Sequence, residues 1–310
     1  MHAIEIKELT KNYPVGFWKK QSRLALKGLS LTVEQGETFG FLGPNGAGKT
    51  TTLKILMGII FPTSGSASIL GKDITDPEIK KKIGFLPEQP YFYDYLNATE
   101  LLDYYGTLCG MPEGDRKQRI PALLERVGLG DAGKKQLRKF SKGMLQRVGI
   151  AQAIIHDPEV LFLDEPMSGL DPTGRHEIRE LIQELKDAGK TIFFSTHILS
   201  DAEALCDRVA VIHKGELRGV GVMNDLRSSA ADKSEIIWDG PQALGAVLGA
   251  VADPHVTGQL VRATVSTEKL DLVLESLRRQ HARLISVTPL HGTLEEYFLA
   301  RTSETEPVRV

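Results

Sequence analysis

GPNGAGKT, residues Gly43 to Thr50, decides how this chain is read. It fits the pattern G-x-x-x-x-G-K-[ST] and lies between an apolar run, ETFGFL, and a helical one, TTLKILMGII. The mechanism of a phosphate-binding loop requires that placement, a strand before and a helix after. The glycines let backbone N–H groups wrap around phosphates. Lys49 can neutralise charge on the β- and γ-phosphates, and the Thr50 hydroxyl can bind Mg²⁺. A glycine-rich turn that merely capped a helix would need neither the lysine nor the hydroxyl, so the stretch predicts a nucleotide site.

A second stretch, EVLFLDEP, complements the first. Four apolar residues, Val160 to Leu163, deliver Asp164 and Glu165 to the end of a buried strand. There Asp164 would hold Mg²⁺ through water and Glu165 would polarise the attacking water. Strands also end in acids that cap the next helix, but two adjacent acids after a wholly apolar strand point to chemistry. His197 follows another apolar run, TIFFST. A lone histidine after a strand is commonly a polar loop residue. In a parallel sheet, however, ligands gather at the carboxyl ends of the strands, which puts His197 beside Lys49 and Asp164 and within reach of a γ-phosphate. FSKGMLQR, Phe140 to Arg147, leads into a helix. From the residues alone Ser141 is either an N-cap or one wall of an anion site, since helix N-termini serve both ends.

The runs ETFGFLG, KIGFLPE, EVLFLDEP, KTIFFST and DRVAVIH read as strands, several apolar on both faces as in a buried parallel sheet. With helices between them they predict an α/β layered fold. Between Pro90 and Pro158 the pattern is mostly helical (ELLDYYGTLCG, RIPALLERVGL, GMLQRVGIAQAII), an insertion of about residues 90–157 in which Pro121 is expected to break or begin a helix. A composition shift near LRSSAADKSE marks a linker at 226–235. It separates a first domain, 1–225, from a small α+β domain, 236–302, and a tail, 303–310. The second domain alternates EIIWDG, PQALGAVLGAV, QLVRATV, EKLDLVLESLRRQ, RLISVTPL and LEEYFLA, an order that suits a ferredoxin-like module.

A length of 310 residues suits two domains at ~150 residues each, and 41% hydrophobic with 25% charged residues is ordinary for buried cores. Lys plus Arg, 38, nearly balances Asp plus Glu, 40, which argues against a nucleic-acid binder. Cys109 and Cys206 match no metal or redox spacing, so a reducing cytosolic setting is expected. No apolar run approaches the ~20 residues of a membrane span, and MHAIEIKELT lacks a signal-peptide layout, so any membrane role would come through a partner.

GPNGAGKTT, FSKGMLQR, LDEP, SGLD and FSTH occur in the order characteristic of ABC ATPases, the nucleotide-binding subunits of ABC transporters, and the chain resembles that family over about residues 4–222. The SKG-plus-QR form and LEEYF look most like exporters whose ATPase and permease are separate chains. The resemblance implies a P-loop NTPase domain of mostly parallel sheet, with an antiparallel edge subdomain and a helical insertion. It also implies ATP and Mg²⁺ as cofactors, and contacts to the nucleotide from Gly43, Pro44, Asn45, Gly46, Ala47, Gly48, Lys49, Thr50 and Thr51. Two such domains would pack head to tail, with Ser141, Lys142, Gly143 and Gln146 of one facing the nucleotide of the other and the helix N-terminus adding partial positive charge. Ser141 would then be cap and half-site together. Lys142 and Met144 replace the first glycine and the glutamine of the common LSGGQ.

By the same resemblance Asp171 couples the two sites. A metal-contacting glutamine is expected after the GFLP strand, where Glu88 holds the matching position and Gln89 follows it. Tyr13 matches the adenine-stacking aromatic, although the long segment GFWKKQSR leaves Phe17 and Trp18 as alternatives. Tyr91, Phe92, Tyr93 and Tyr95 either receive a permease coupling helix or form a core cluster. The expected protein is an ATPase at the cytoplasmic face of the membrane, peripheral through its permease. Its competitor is a soluble ABC ATPase working on ribosomes or DNA, a class that generally carries two ATPase domains, coiled-coil arms or zinc motifs.

Overall fold

The computed structural model describes residues 1–15, 21–223, 225, 233–290 and 294. They divide into two compact units, residues 1–220 and 221–300. In the first, a six-stranded sheet runs in the order β10-β9-β3-β8-β7-β6. The strands are β3 (Thr38–Leu42), β6 (Ile83–Leu86), β7 (Val160–Asp164), β8 (Thr191–Thr196), β9 (Arg208–His213) and β10 (Glu216–Val222). The pairs β6–β7, β7–β8, β3–β8 and β3–β9 are parallel, as the doubly apolar runs predict. β3, β7 and β8 are buried at every residue. Phe193 lies at the centre, with ring centroids 5.6 Å from Phe39, 5.4 Å from Phe41 and 5.9 Å from Phe162. Burying each such ring contributes about 1.5–3 kcal/mol.

Register makes this sheet a scaffold for chemistry. Leu42 is opposite Thr196, and Asp164 is opposite Ser195. The residues that follow β3, β7 and β8 therefore emerge at one edge. A second, antiparallel sheet has the order β2-β1-β4-β5, from β1 (His2–Val15), β2 (Gln21–Glu34), β4 (Ser64–Ile69) and β5 (Lys72–Asp73). The remaining helices of the unit that bear on the site are α1 (Lys49–Leu56), α2 (Ala98–Leu108), α3 (Glu113–Arg126), α4 (Lys142–Ile154), α5 (Pro172–Asp187) and α6 (Leu199–Leu205).

Pro121 neither breaks nor begins a helix; α3 runs through it. The ring removes the bond to the carbonyl of Lys117, but both residues are exposed, so water can solvate the freed oxygen. Ile120, Leu123 and Leu124 on either side are buried and hold the helix down.

The second unit is β11 (Lys233–Asp239), α7 (Leu244–Val247), β12 (Val251–Thr257), β13 (Leu260–Ser266), α8 (Thr267–Arg279) and β14 (Arg283–Leu290). Its all-antiparallel sheet, β12-β13-β11-β14, is the split βαβ order of a ferredoxin-like module. Trp238 is fully buried there with Ile236, Val261 and Val273, its Nε1–H donating to Gly240 O at 3.2 Å. One expectation fails, and one strand lies where none was expected. PQALGAVLGAV yields only a 3-10 turn and the single-turn α7, because Gly245 and Gly249 weaken a helix. VADPHVT is the edge strand β12, disguised by Pro254 and by Asp253 at φ +49, features that edges tolerate. Strand β11 begins at Lys233, so the last three residues of the expected linker are sheet, while 226–232 lie outside the described residues.

Candidate nucleotide site

The loop after β3 can be built only from glycine at its two ends. A Cβ on Gly43 would stand 2.5 Å from Ile212 O. Gly48 has φ +118, and a Cβ there would meet Leu26 Cδ2 at 2.8 Å and Ala25 O at 2.9 Å. Gly48 is also the N-cap of α1 and has no side-chain cap, so the first-turn N–H groups point toward whatever the loop holds. Lys49 is 5% exposed, and its Nζ donates to Gly43 O at 2.7 Å.

Strand β7 brings the acids to the same place. Ser195 Oγ donates to Asp164 Oδ1 at 2.5 Å, and the Thr50 hydroxyl donates to the same carboxylate. Burial pushes the Asp164 carboxyl above its ordinary value, which the two hydroxyls only partly offset; nearby Glu165 adds to the rise. Glu165 has φ +48, a left-handed conformation uncommon for a non-glycine residue. Its N–H is shared between Ser195 O at 3.1 Å and Ser195 Oγ at 3.3 Å, which fixes the bend. The carboxylate then spans two partners: Oε2 is 2.8 Å from His197 Nδ1, and Oε1 is 3.1 Å from Lys49 Nζ. The latter is an ion pair without hydrogen-bond alignment, since Oε1 is buried and accepts no hydrogen bond.

These groups open onto a cleft of about 860 Å³ lined by Tyr13, Pro44, Asn45, Gly46, Gly48, Lys49, Thr50, Thr51, Glu88 and Glu165. Of the two residues after Pro87, Glu88 lines the cleft and Gln89 does not. Lys11 Nζ, held by Phe61 O at 2.7 Å, lies 5.1 Å from the Tyr13 ring centroid as a cation–π pair. Phe17 and Trp18 lie outside the described residues. Arg23, Lys27 and Lys214 also line the cleft, and nothing in the sequence reading pointed to them. They come from β2 and from the turn between β9 and β10, far from any motif.

A second groove, about 370 Å³, is lined by Ser141, Lys142, Gly143, Arg147, Asp171 and their neighbours. Ser141 caps α4, accepting from Met144 N at 3.3 Å, and Asp171 caps α5, accepting from Gly174 N at 3.0 Å. A Cβ on Gly143 would meet nothing nearer than Leu170 Cδ2 at 3.9 Å, so packing within the chain does not require this glycine. Gln146 does not reach the groove. It is 2% exposed, on the face of α4 shared with Ile150 and Ala153, because i, i+4 and i+7 fall on one side of a helix. The aromatic run is no core cluster: Tyr91 is 98% exposed, and Tyr93 and Tyr95 are largely open, with centroids 5.8 Å apart.

Comparison with known proteins agrees with this geometry. The ABC transporter family model matches residues 26–168. An uncharacterised ABC transporter ATP-binding protein of Synechocystis is 46% identical over 98% of this chain and 85% of its own length. The linearmycin resistance ATP-binding protein of Bacillus subtilis is 34% identical over 90% of this chain and 94% of its own. A dimeric, post-hydrolysis ATP-binding cassette solved with ADP and Pi superposes with TM-score 0.66 at 27% identity, covering 71% of this chain and 98% of that one. With 46% identity to such a protein over nearly its whole length and the overall fold of a solved cassette, the chain belongs to the ATP-binding proteins of ABC transporters, and its larger unit is an ABC ATPase.

Proposed function

We propose that this ATPase powers a separate membrane permease, that it works as an exporter subunit, and that two copies close head to tail around ATP. The observation that carries the reading is the division of the machinery into two exposed halves. The phosphate-loop cleft is lined by Lys49, Thr50 and Glu165, with Asp164 hydrogen-bonded to Thr50 and His197 to Glu165. The groove at Ser141 and Gly143 has an accessible helix start and a glycine that the chain's own packing leaves unexplained. A second copy's nucleotide supplies the reason for that glycine, since a bare backbone permits close approach of a phosphate. The relative named for linearmycin resistance supports the outward direction. The exposed tyrosines beyond Glu88 suit a docking face for the permease. Among the described residues no helix is long and apolar enough to cross a membrane, so attachment at the cytoplasmic face would run through that partner.

The residues fit a magnesium ion. A buried Asp164 whose carboxyl is raised by desolvation, joined to the Thr50 hydroxyl, is a site that gains from a cation. Among the described residues no cluster of three or more His, Cys, Asp or Glu could hold a metal alone. Mg²⁺ typically needs only one or two protein groups beside substrate phosphates and water. When bound, the ion would neutralise charge on the phosphate oxygens. Lys49 would leave Gly43 O for the phosphates. Glu165 would orient the attacking water, and His197 would hold Glu165 in place and reach the terminal phosphate. Such positioning and charge stabilisation dominate phosphoryl transfer.

The test is a pull-down from native membranes with tagged Glu165→Gln protein in Mg-ATP, with the captured chains identified by mass spectrometry. A multi-spanning membrane protein as the main partner supports the reading. Ribosomal or DNA-bound partners would overturn it and leave the ATPase assignment standing.

A further inference from the structure

We propose that Arg23 and Lys214 form a cationic rim on the nucleotide cleft that binds the phosphate chain independently of Lys49, so that affinity rises with the number of phosphates. The inference rests on the cleft being a nucleotide site and adds residues outside every motif discussed above.

The local backbone gives the first argument. β9 and β10 are joined by two residues, Lys214 at φ +50 and Gly215 at φ +83. Two positive φ values in a two-residue connection make a type I′ turn, whose first position favours Asn, Asp or Gly. Lysine gives that turn nothing: its Cβ is disfavoured in the left-handed region, and its ammonium is too far out to mimic an Asn side chain. A residue that disfavours its own backbone conformation, and lines a cleft, calls for a reason in the side chain.

The second argument is fixation. Gly215 N donates to Ala47 O in the phosphate loop at 2.9 Å, and Lys27 N donates to Gly215 O at 2.9 Å. A Cβ on Gly215 would be 2.6 Å from Ala25 O, so the tip is pressed onto β2. The turn is thus bolted to the loop that wraps the phosphates, and Lys214 is carried with it. Arg23, on β2, reaches the same loop at another point: its Nη2 would be 3.8 Å from a Cβ placed on Gly46.

Charge supplies the third. Lys49 is paired with Glu165 and Lys27 with Glu216, whereas among the described residues neither Arg23 nor Lys214 enters a salt bridge. Among the described residues, the only acids lining the cleft are Glu88 and Glu165. Two cations without counter-ions, held at the rim of a cleft whose ligand is a polyanion, attract it in proportion to its charge.

Equilibrium binding of ATP, ADP and adenosine to the full chain, in EDTA to prevent turnover, separates the possibilities. The variants are Arg23→Gln, Lys214→Asn and the double substitution, with melting temperatures measured alongside. Lys214→Asn is the informative one, because Asn suits the turn: folding should be unchanged or improved while the charge is gone. The expected result is about a five- to tenfold loss of ATP affinity per substitution, a smaller loss for ADP and none for adenosine. Equal losses for ATP and adenosine, or no loss for any ligand, would overturn the rim. Failure of the unsubstituted chain to bind ATP would overturn the nucleotide reading itself.

Discussion

His197 Nδ1 lies 2.8 Å from Glu165 Oε2, across the gap between the ends of β8 and β7. The carboxylate accepts from the Nδ1–H, so Nε2 is the ring nitrogen left for another partner. Since Glu165 is also bent at φ +48 and flanked by Lys49, its carboxylate is held from three sides. Glu165→Gln keeps the shape and removes the proposed base. ATP binding should stay within about twofold, while turnover falls by about 10²–10⁴, the usual contribution of a positioned base. His197→Ala should lose less, because Glu165 keeps its other supports. Nucleotide binding and single-turnover hydrolysis check both; Glu165→Gln protein that retained most of its turnover would exclude the role.

Asp164 carries a stability cost that its removal should reveal. Its folded carboxyl titrates above its unfolded value because of burial. Between those two values the folded state holds the proton more firmly than the unfolded state, so stability falls as pH rises through that window and stays lower above it. At neutral pH, above its unfolded value, Asp164 therefore costs stability in the absence of a cation. Asp164→Asn should raise the melting temperature of the nucleotide-free chain at pH 7.5, with a smaller difference near pH 4, and should cut Mg-dependent turnover at least about 100-fold. A melting temperature lowered at both pH values would contradict this account.

Ser141 caps α4, and the proposed dimer gives it a second role that substitution can separate. As the cap of α4 it should cost about 1 kcal/mol when replaced by Ala. Asp caps as well as Ser but places a negative charge where the second copy's phosphates would arrive. Ser141→Asp should thus keep the melting temperature within about a degree or two and abolish ATP-dependent dimerisation of a Glu165→Gln background. Dimerisation that survived would reduce Ser141 to a cap.

The meeting of Asp164, Glu165 and His197 at one sheet edge was legible in the sequence because each follows an apolar run, and register in a parallel sheet turns that local fact into a spatial one. Asp164, Glu165 and His197 needed no tertiary information beyond this. Gln146 misled because a motif position says nothing about helix phase, and its neighbours Ile150 and Ala153 put it inside. Arg23 and Lys214 were invisible for the opposite reason: they reach the cleft through the docking of β2 and a turn onto the phosphate loop, contacts that leave no periodic trace. β12 was hidden because an edge strand has little apolar pattern to show.

Pro121 offers the last test, of the fold rather than the site. Proline in a helix interior costs about 3 kcal/mol relative to alanine, yet α3 continues through it at a place where Lys117 and Pro121 are both exposed and water can reach the carbonyl that Pro121 cannot serve. Pro121→Ala would restore that bond at the expense of a more flexible unfolded chain, which removes about 0.4–1 kcal/mol of the gain. The net effect should be stabilising by about 2–2.5 kcal/mol, or several degrees in melting temperature if the larger unit unfolds as one. ATP binding should not change, since Pro121 lines none of the residues at the phosphate loop. Urea unfolding of the two proteins measures the difference directly. A destabilised Pro121→Ala chain would mean that the ring itself is part of the packing of α2 against α3, beside Arg116 and its partner Asp103, and that solvation of Lys117 is not what allows the helix to continue.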